Sequence, residues 1–491
     1  MSQSAPLTDP RPVPIPAPAR RKPLHDPPWL GGLQDLAREH AFEPLRVEGA
    51  LPRSLQGTLY RNGPGRFAVG GQRIAHWFDG DGAVSAVRLG DGAAWGATRM
   101  VRTAGLEREE HAGKRLFGGY GTPLVRPLRE LLLRDSKNPA NTNVLLWQDR
   151  LFATCEAGKP HELDLRDLST LGESLLGGVL VGPFSAHAHR VPQRRATYNF
   201  GLGHGRSTQV DAYELPDEGP ARRLATFSVD GIRVLHDFVA TERHLVFVFA
   251  PLYMSLVDVL FRRHAPVSGG RWEPERGAEI VVVPIDTPTR VRRFQADGFL
   301  LEHVVNAFED DWKIVFDYTH YAHADGLERF VGGMVAGRID APLGSEIRRA
   351  TLDPQKGGMT SEVVLACAVE LPRVAPRVEG RRHRFAYHAG AATSPGDAPF
   401  ARVLKHDMET GRVDAYEPGN GRSPGEGVFV PRPDGTAEDD GWVLTMVYDA
   451  RDDRSRLEVL DARSIGDGPV AACHFDHPIP FGFHGAWASR A

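Results

Sequence analysis

Four histidines occupy similar surroundings in the sequence. They lie in the segments FSAHAHR, VLHDF, LEHVVNAFED and IPFGFHG, as His187, His236, His303 and His484. Each is within or beside an apolar segment, where an unpaired imidazole would be costly to bury. Because neutral imidazole is a common metal ligand, one metal ion would satisfy all four side chains together.

Spacing alone does not select these four among the 20 histidines of the chain. They are separated by about 50, 70 and 180 residues, without the short HxxxH spacing of a zinc helix. Such wide separation is typical of a propeller in which each blade sends one residue to the axis. On spacing, His189, His474 and His477 are equally eligible, and a hydrogen-bonded or solvent-exposed histidine is the alternative interpretation for each.

The elements that must position these histidines are predicted to be strands. From Leu45 onward, short runs rich in Val, Leu, Phe and Tyr alternate with clusters of Gly, Asp, Asn and Pro. Clear examples are residues 150–156, 245–249, 279–284 and 442–448. The chain is therefore predicted to be all-β.

Several of these runs form a recurring unit, in which two strands are joined by a D-x-x-T/S corner. Instances are HELDLRDLSTLG at 161–172, VLKHDMETGRVDAYE at 403–417 and SRLEVLDARSIGDGPVA at 455–471. Recurrence at intervals of roughly 40 to 60 residues favours propeller blades. Because the repeats are only weakly similar, a multi-sheet sandwich is the alternative.

Helical patterns are short and local. Pro127 with Leu128, Leu131 and Leu132 shows an N-terminal proline and helical spacing, and Leu252, Leu256, Val259 and Leu260 repeat that spacing. Both segments are predicted to be insertions that cap the core of the sheet scaffold. The alternative is an apolar lip around a substrate tunnel, in peripheral contact with a membrane surface.

Composition limits the classes of protein that the chain can belong to. The formal net charge is −4, with basic and acidic residues interspersed, which argues against a nucleic-acid partner. The chain has no run of about 18 apolar residues and no apolar segment of a signal peptide. Three cysteines without CxxC spacing fit a reducing, cytoplasmic location.

Domain boundaries follow from proline content. Residues 1–28 carry nine prolines, which disfavour both helix and sheet ladders, so this segment is predicted to be a disordered or extended arm. Residues 29–491 are predicted to form one propeller domain.

Five further segments carry a resemblance to a known family. They are GTLYRNGPGRF at 57–67, HWFDGDGAV at 76–84, NTNV at 141–144, EGVFVPRPDGTAEDDGWVL at 426–444 and IPFGFHGAW at 479–487. The chain resembles the carotenoid cleavage oxygenases from about Leu45 to Trp487. This family includes apocarotenoid oxygenases, lignostilbene dioxygenases and a retinoid isomerase.

The resemblance implies a seven-bladed propeller, with short helical insertions forming a cap over an axial Fe²⁺ site. It implies that His187, His236, His303 and His484 are the metal ligands and that His189 is not one. It also implies that three glutamates hydrogen-bond to the ligand rings, and these map onto Glu156, Glu370 and Glu426. Thr142, in the NTN motif, is implied to narrow an open coordination position. Taken alone, each glutamate would be interpreted as an exposed charge and Thr142 as a strand-end residue.

The implied reaction is cleavage of a conjugated C=C bond by O2 to give two carbonyl products, on an apolar carotenoid or apocarotenoid. The alternatives are cleavage of a stilbene or an isoeugenol-like phenylpropene, isomerisation at the same iron site, and a non-catalytic binding propeller. Cys155, where lignostilbene-cleaving members have lysine, weakens the stilbene alternative. Val234 and Glu302 differ from the family pattern and predict a smaller, more polar cavity. Phe67 is a candidate substrate contact or simply a core residue.

Overall fold

The protein is a seven-bladed β-propeller, as predicted. The computed structural model describes residues 25–123, 137–156, 158–254, 270–392 and 398–490. Within these residues, seven antiparallel sheets of four to six strands form the blades. Most inner strands of neighbouring sheets contact one another, which places them around the central axis.

The strands of the first three blades follow one another from the axis outward. Blade one contains Gly485–Ser489, Gly57–Arg66, Asp81–Gly90, Ala93–Met100 and His40–Pro44. Blade two contains Asn143–Trp147, Arg150–Thr154, His161–Leu163 and Thr170–Glu173. Blade three contains His189–Val191, Ala196–His204, Ser207–Pro216 and Arg222–Asp230.

The remaining four blades have the same inner-to-outer order. Blade four contains Val239–Ala240, His244–Phe249, Ala278–Pro284 and Arg292–Ala296. Blade five contains Leu300–Asp310, Lys313–Tyr321, Glu346–Leu352 and Met359–Leu365. Blade six contains Val369–Arg373, Phe385–Ala391, Phe400–Asp407 and Val413–Tyr416. Blade seven contains Arg422–Pro424 and Val428–Pro431 at its inner edge, then Gly441–Asp449, Arg454–Asp461, Pro469–His474 and Arg46–Gly49.

The two ends of the chain close the ring by exchanging strands. The late strand Gly485–Ser489 pairs with Gly57–Arg66 and becomes the inner strand of blade one. The early strand Arg46–Gly49 pairs with Pro469–His474 and becomes the outer strand of blade seven. Closure pairs strand edges that would otherwise be exposed, and it fixes the position of residue 484 at the axis.

The D-x-x-T/S corners predicted from sequence are the outer hairpins of blades two, six and seven. In each, the aspartate carboxylate accepts a hydrogen bond from the backbone N–H two residues later: Asp167 from Ser169, Asp407 from Glu409 and Asp461 from Arg463. This side-chain turn is a common use of aspartate between strands. The recurring sequence unit therefore marks recurring blade geometry.

Adjacent blades bury both faces of most strands. In Ala278–Pro284, for example, the run Ile280 to Val283 is completely buried. Between blades seven and one, Leu59, Val87, Leu444 and Val459 pack in one cluster. A strand covered on both faces has a continuous apolar run instead of an alternating one, as the sequence shows.

Two short α-helices, Ala104–Ala112 and Gly326–Val331, lie in the described part of the chain. Single 3-10 turns occur at Pro28–Leu33, Trp77–Asp79, Pro192–Arg194, Pro274–Arg276, Met334–Ala336, Pro376–Val378 and Ile465–Asp467. The helix predicted around Pro127, residues 1–24 of the proline-rich arm and residues 255–260 of the second predicted helix lie outside the described residues. Leu252 is in a two-residue strand, Leu252–Tyr253, which pairs with Arg271–Trp272; a second such pair joins Ala68–Val69 and Gln72–Arg73. None of the described helices is long and apolar enough to cross a membrane.

Three histidines are buried between blades five and six. His388 is completely buried, and its ring nitrogens make no hydrogen bond to any residue that the structure describes. Burial lowers the pKa of His388 to about 3 and that of His383 to about 4, and it also lowers the pKa of His406. His383 Nε2 lies 3.3 Å from Asp317 Oδ2, and Asp317 is paired with Arg349.

We expect these buried histidines to make stability fall as the pH falls. The unfolded state takes up protons below about pH 6.5, whereas the folded state does so only near pH 3 to 4, so protonation favours unfolding between these values. Replacing His388 with Leu should reduce the slope of the free energy of unfolding against pH by about 1.4 kcal/mol per pH unit between pH 6 and 4. Urea unfolding of both proteins at several pH values measures this, with the exposed His111→Leu variant as control. Parallel pH profiles for wild type and His388→Leu would contradict the prediction.

Candidate metal centre and cavity

Seven polar side chains meet where the inner strands of the seven blades begin. Each lies within the first four residues of its inner strand or within three residues before it. In blade order from two to seven and then one, they are Thr142, His187, His236, His303, Glu370, Glu426 and His484. The propeller thus brings together, at one end of the axis, residues that are up to 342 positions apart in the chain (484 − 142).

The four histidines predicted as ligands lie together. The ring centroid of His187 is 4.2, 5.1 and 4.8 Å from those of His236, His303 and His484. His236 Nε2 is 3.2 Å from His303 Nε2, and ring nitrogens of His187, His303 and His484 lie within 4.8 Å of one another. Ligand atoms about 2.1 Å from one ion are separated by roughly 3 to 4 Å, so this spacing can accommodate a shared metal.

Two of the histidines are oriented by their own carboxylates. His303 Nδ1 lies 2.5 Å from Glu370 Oε2, and the Tyr321 hydroxyl donates to the other oxygen of Glu370 at 2.6 Å. His484 Nδ1 lies 3.0 Å from Glu426 Oε1. A carboxylate at Nδ1 leaves Nε2 of the same ring available as a lone-pair donor.

Glu156 contacts the other two histidines. Its Oε1 atom lies 3.2 Å from His236 Nδ1 and 3.6 Å from His187 Nε2. Its Oε2 atom accepts a hydrogen bond from the Thr142 hydroxyl at 3.3 Å. His187 Nε2 is buried and makes no hydrogen bond to the described residues, so this nitrogen is available to a metal.

The electrostatics of the cluster favour a positive charge. Burial lowers the pKa of His236, but the carboxylates of Glu302 and Glu156 outweigh burial and raise it to about 10. Burial holds the pKa of His187 well below its usual value, and burial lowers the pKa of His484 to about 4. Carboxylates that stabilise a positive charge, beside imidazoles that burial keeps uncharged, are what a divalent cation requires, so the residues present fit a metal.

The other histidines considered from sequence lie in different hydrogen-bond networks. His189 Nε2 is 2.6 Å from Asp237 Oδ1, and the second oxygen of Asp237 accepts from the Val304 N–H. His474 Nε2 lies 3.1 Å from Glu48, and His477 Nδ1 lies 2.7 Å from Asp476. Each therefore has a carboxylate partner of its own that is not one of the three glutamates at the four-histidine cluster.

A cavity of about 610 Å³ adjoins the histidine cluster. Its wall includes His236, His303 and His484, and Thr142 and Glu156 border the same space. Most of the remaining wall is aliphatic or aromatic, with Trp77, Phe78, Phe117, Leu235, Leu301, Leu327, Val331 and Phe483 among its residues. The helix Gly326–Val331, which was not predicted from sequence, lines part of this cavity through Leu327, Glu328 and Val331.

Phe67 lies in the core instead of the described cavity wall. It is completely buried and packs in a cluster with Trp29 and Leu33. Its chain neighbours Arg66 and Ala68 reach the cavity. This placement favours a core role for Phe67, the second of the two interpretations that the sequence allows.

Two residues of the site had no role predicted from sequence, and a third, Glu302, was predicted only to make the cavity smaller and more polar. Tyr321 donates to Glu370, and Arg373 donates from Nε to Glu426 Oε1 at 2.8 Å. Glu302, which differs from the family pattern, lines the cavity with Oε1 3.7 Å from His236 Nε2. Tyr321 and Arg373 lie in ordinary strand sequence, and only their three-dimensional contacts distinguish them.

A seven-bladed propeller with four neighbouring histidines beside an apolar cavity agrees with the class of oxygenases that the sequence resembles. The chain belongs to this class, the carotenoid cleavage oxygenase family. The family profile described as "Retinal pigment epithelial membrane protein" matches residues 33–489.

Similar proteins include enzymes that act on different alkenes. Apocarotenoid-15,15'-oxygenase from Synechocystis is 34% identical, with 94% of this chain and 96% of that protein aligned. Isoeugenol monooxygenase from Pseudomonas nitroreducens is 29% identical, over 95% of this chain and 98% of that protein. The crystal structure of cobalt-substituted Synechocystis ACO superimposes with a TM-score of 0.85 at 33% identity, covering 94% of this chain and 98% of that one.

Proposed function

We propose that the protein is a non-haem Fe²⁺ dioxygenase that cleaves a conjugated C=C bond with O2, giving two carbonyl products, with an apocarotenoid as substrate. The observation that carries this proposal is a cluster of four neighbouring imidazoles, three of which line a large apolar cavity. The reaction needs a metal able to bind O2 and an apolar space that holds the alkene beside it.

His187, His236, His303 and His484 are the proposed iron ligands. Imidazole is a suitable ligand for iron among first-row metals, and four such ligands leave positions open on the metal. When bound, Fe²⁺ would supply the capacity to bind and activate O2. Glu156, Glu370 and Glu426 would hold the rings in place and offset the charge of the cation, because the four ligands are neutral.

The remaining residues are proposed to orient the substrate and exclude water. Thr142 lies beside Glu156 at the edge of the cavity and is proposed to restrict access to one open side of the metal. The apolar wall favours a hydrocarbon chain, because burial of apolar surface drives binding. An acid–base pair has no place in this proposal, since proton transfer is not required for cleavage of the alkene.

An apocarotenoid is the favoured substrate because a 610 Å³ cavity can hold a long hydrocarbon and because the Synechocystis relative is named for apocarotenoid oxygenation. A phenylpropene is the second candidate. It is favoured by the carboxyl group of Glu302 in the cavity wall and by the relative named as an isoeugenol monooxygenase.

Turnover with and without O2 tests the proposal. Iron-loaded protein is incubated with apocarotenals, stilbenes and phenylpropenes in air and under argon, and the products are identified by mass spectrometry. We expect O2 uptake and two carbonyl products in air, and unchanged substrate under argon.

Two results would contradict the proposal. Isomerised substrate under argon would assign the site to isomerisation, the alternative reaction at the same metal. Less than about 0.1 iron per chain after reconstitution would exclude an iron enzyme, since a site with four ligands should fill.

A further inference from the structure

Glu302 is a carboxyl group in an apolar wall with a single described ion-pair partner. Its side chain is 13% exposed, and that partner is His236, whose Nε2 lies 3.7 Å from Glu302 Oε1. Among the described residues, no lysine or arginine pairs with it. A partly buried carboxyl group in an apolar wall, with no hydrogen-bond donor among the described residues, can accept a hydrogen bond from a bound molecule.

Metal binding would remove that one partner. His236 Nδ1 faces Glu156 at 3.2 Å, so Nε2 is the nitrogen left for a metal. At 3.7 Å this nitrogen makes no hydrogen bond to Glu302, and once it coordinates an ion it carries no hydrogen to donate. Under the proposed function, on which this inference rests, the loaded site therefore leaves Glu302 in need of a donor.

The metal is a poor candidate for the missing partner. There are two groups in which all potential ligand atoms lie within 4.8 Å of one another. One contains His187, His303 and His484, and the other contains Glu156, His187 and His236. Glu302 belongs to neither group. Its carboxyl group instead faces the cavity, where a bound molecule would lie.

We propose that Glu302 determines substrate specificity by accepting a hydrogen bond from a hydroxyl group of the substrate. Because Glu302 lies beside His236, the hydroxyl must be close to the reacting double bond. Compact phenolic alkenes meet this condition, whereas the middle of a linear polyene has no hydroxyl. Glu302 thus selects hydroxyl-bearing alkenes within the broader set that the apolar cavity accepts.

Glu328 provides a matched control in the same cavity. It is a second carboxylate of the wall, but His76 Nε2 lies 3.3 Å from its Oε2 atom. His76 Nδ1 accepts a hydrogen bond from the Phe78 N–H, so Nε2 carries the hydrogen that faces Glu328. Because His76 is not a proposed metal ligand, Glu328 keeps this partner when the metal site is filled, and it should contribute little to recognition of a substrate hydroxyl.

Binding without turnover tests the inference. Iron-loaded protein is titrated calorimetrically under argon with isoeugenol and with its methyl ether, which cannot donate a hydrogen bond. Wild type should bind isoeugenol roughly 10-fold more tightly than the ether, as loss of a hydrogen bond to a charged group predicts. Glu302→Leu should bring the ratio close to one, Glu302→Gln should give an intermediate ratio, and Glu328→Gln should keep the wild-type ratio.

Several results would overturn the inference. The wild type could bind isoeugenol and its methyl ether equally, or bind neither. Both Glu302 variants could keep the wild-type affinity ratio, or Glu328→Gln could lose that ratio to the same extent as the Glu302 variants. A changed absorption spectrum of cobalt-loaded Glu302→Gln without ligand would assign Glu302 to the metal and also overturn it. Failure of the proposed function would look different, because selective binding would persist while no alkene was cleaved in air.

Discussion

Replacing His484 with alanine should abolish iron retention, and His236→Ala should do the same. Each variant removes one of four proposed ligands, together with an imidazole contact of Glu426 or Glu156. Because the three remaining imidazoles would bind a cation in a different geometry, we expect less than about a tenth of the wild-type iron content. Iron per chain is measured after anaerobic reconstitution and gel filtration.

His189→Ala is the matched control for this experiment. His189 is only two positions from His187 in sequence, but its ring is bound to Asp237 instead of facing the cluster. This variant should keep most of the iron. Equal loss in His189→Ala, His236→Ala and His484→Ala would show that the proposed ligand set is wrong.

Glu426→Gln should weaken iron binding or activity by about 10- to 100-fold, the usual effect of changing a carboxylate that supports a metal ligand. Burial raises the pKa of Glu426, but Arg373 and His484 outweigh burial and lower it to about 2, so the group is ionised at neutral pH. Glutamine can keep the shape and the hydrogen bond from the Gly485 N–H, but it removes the negative charge next to His484.

The change is measured as the iron dissociation constant and as kcat/KM on the best substrate. Glu458→Gln is the control, because Glu458 is also buried in blade seven but hydrogen-bonds to Tyr416 and Arg456 instead of a histidine. It should leave iron affinity unchanged. If Glu426→Gln behaved like this control, Glu426 would have no role in supporting the metal.

Much of the fold was predictable because its local patterns are regular. Runs such as residues 245–249 and 442–448 lie within the observed strands His244–Phe249 and Gly441–Asp449. The aspartate corners also lie where the sequence unit predicts them, because a side-chain turn depends on a few neighbouring residues. Leu252 was predicted as helical but is in a strand, since an apolar segment of a few residues fits both periodicities.

The residues of the site were also predictable only in part. The motifs flanking His187, His236, His303 and His484 identified these residues in the sequence, and the structure brings all four together. The sequence could not reveal that Tyr321 and Arg373 hold Glu370 and Glu426, because these contacts join different strands and blades. Phe67 was an equal candidate for core or cavity, and only packing placed it with Trp29 and Leu33.

The sequence by itself determined the fold class, the family and the set of candidate metal-binding residues, because residue type, spacing and motif context are local properties of the chain. The tertiary structure decided which nitrogen faces which carboxylate, that His189 is bound to Asp237, and that His236 is the ion-pair partner of Glu302. These are relations between residues about 50 or more positions apart, or on different blades. Hydrogen bonding and metal binding depend on distance and orientation. For these residues, both are fixed only when ring closure brings the inner strands around one axis.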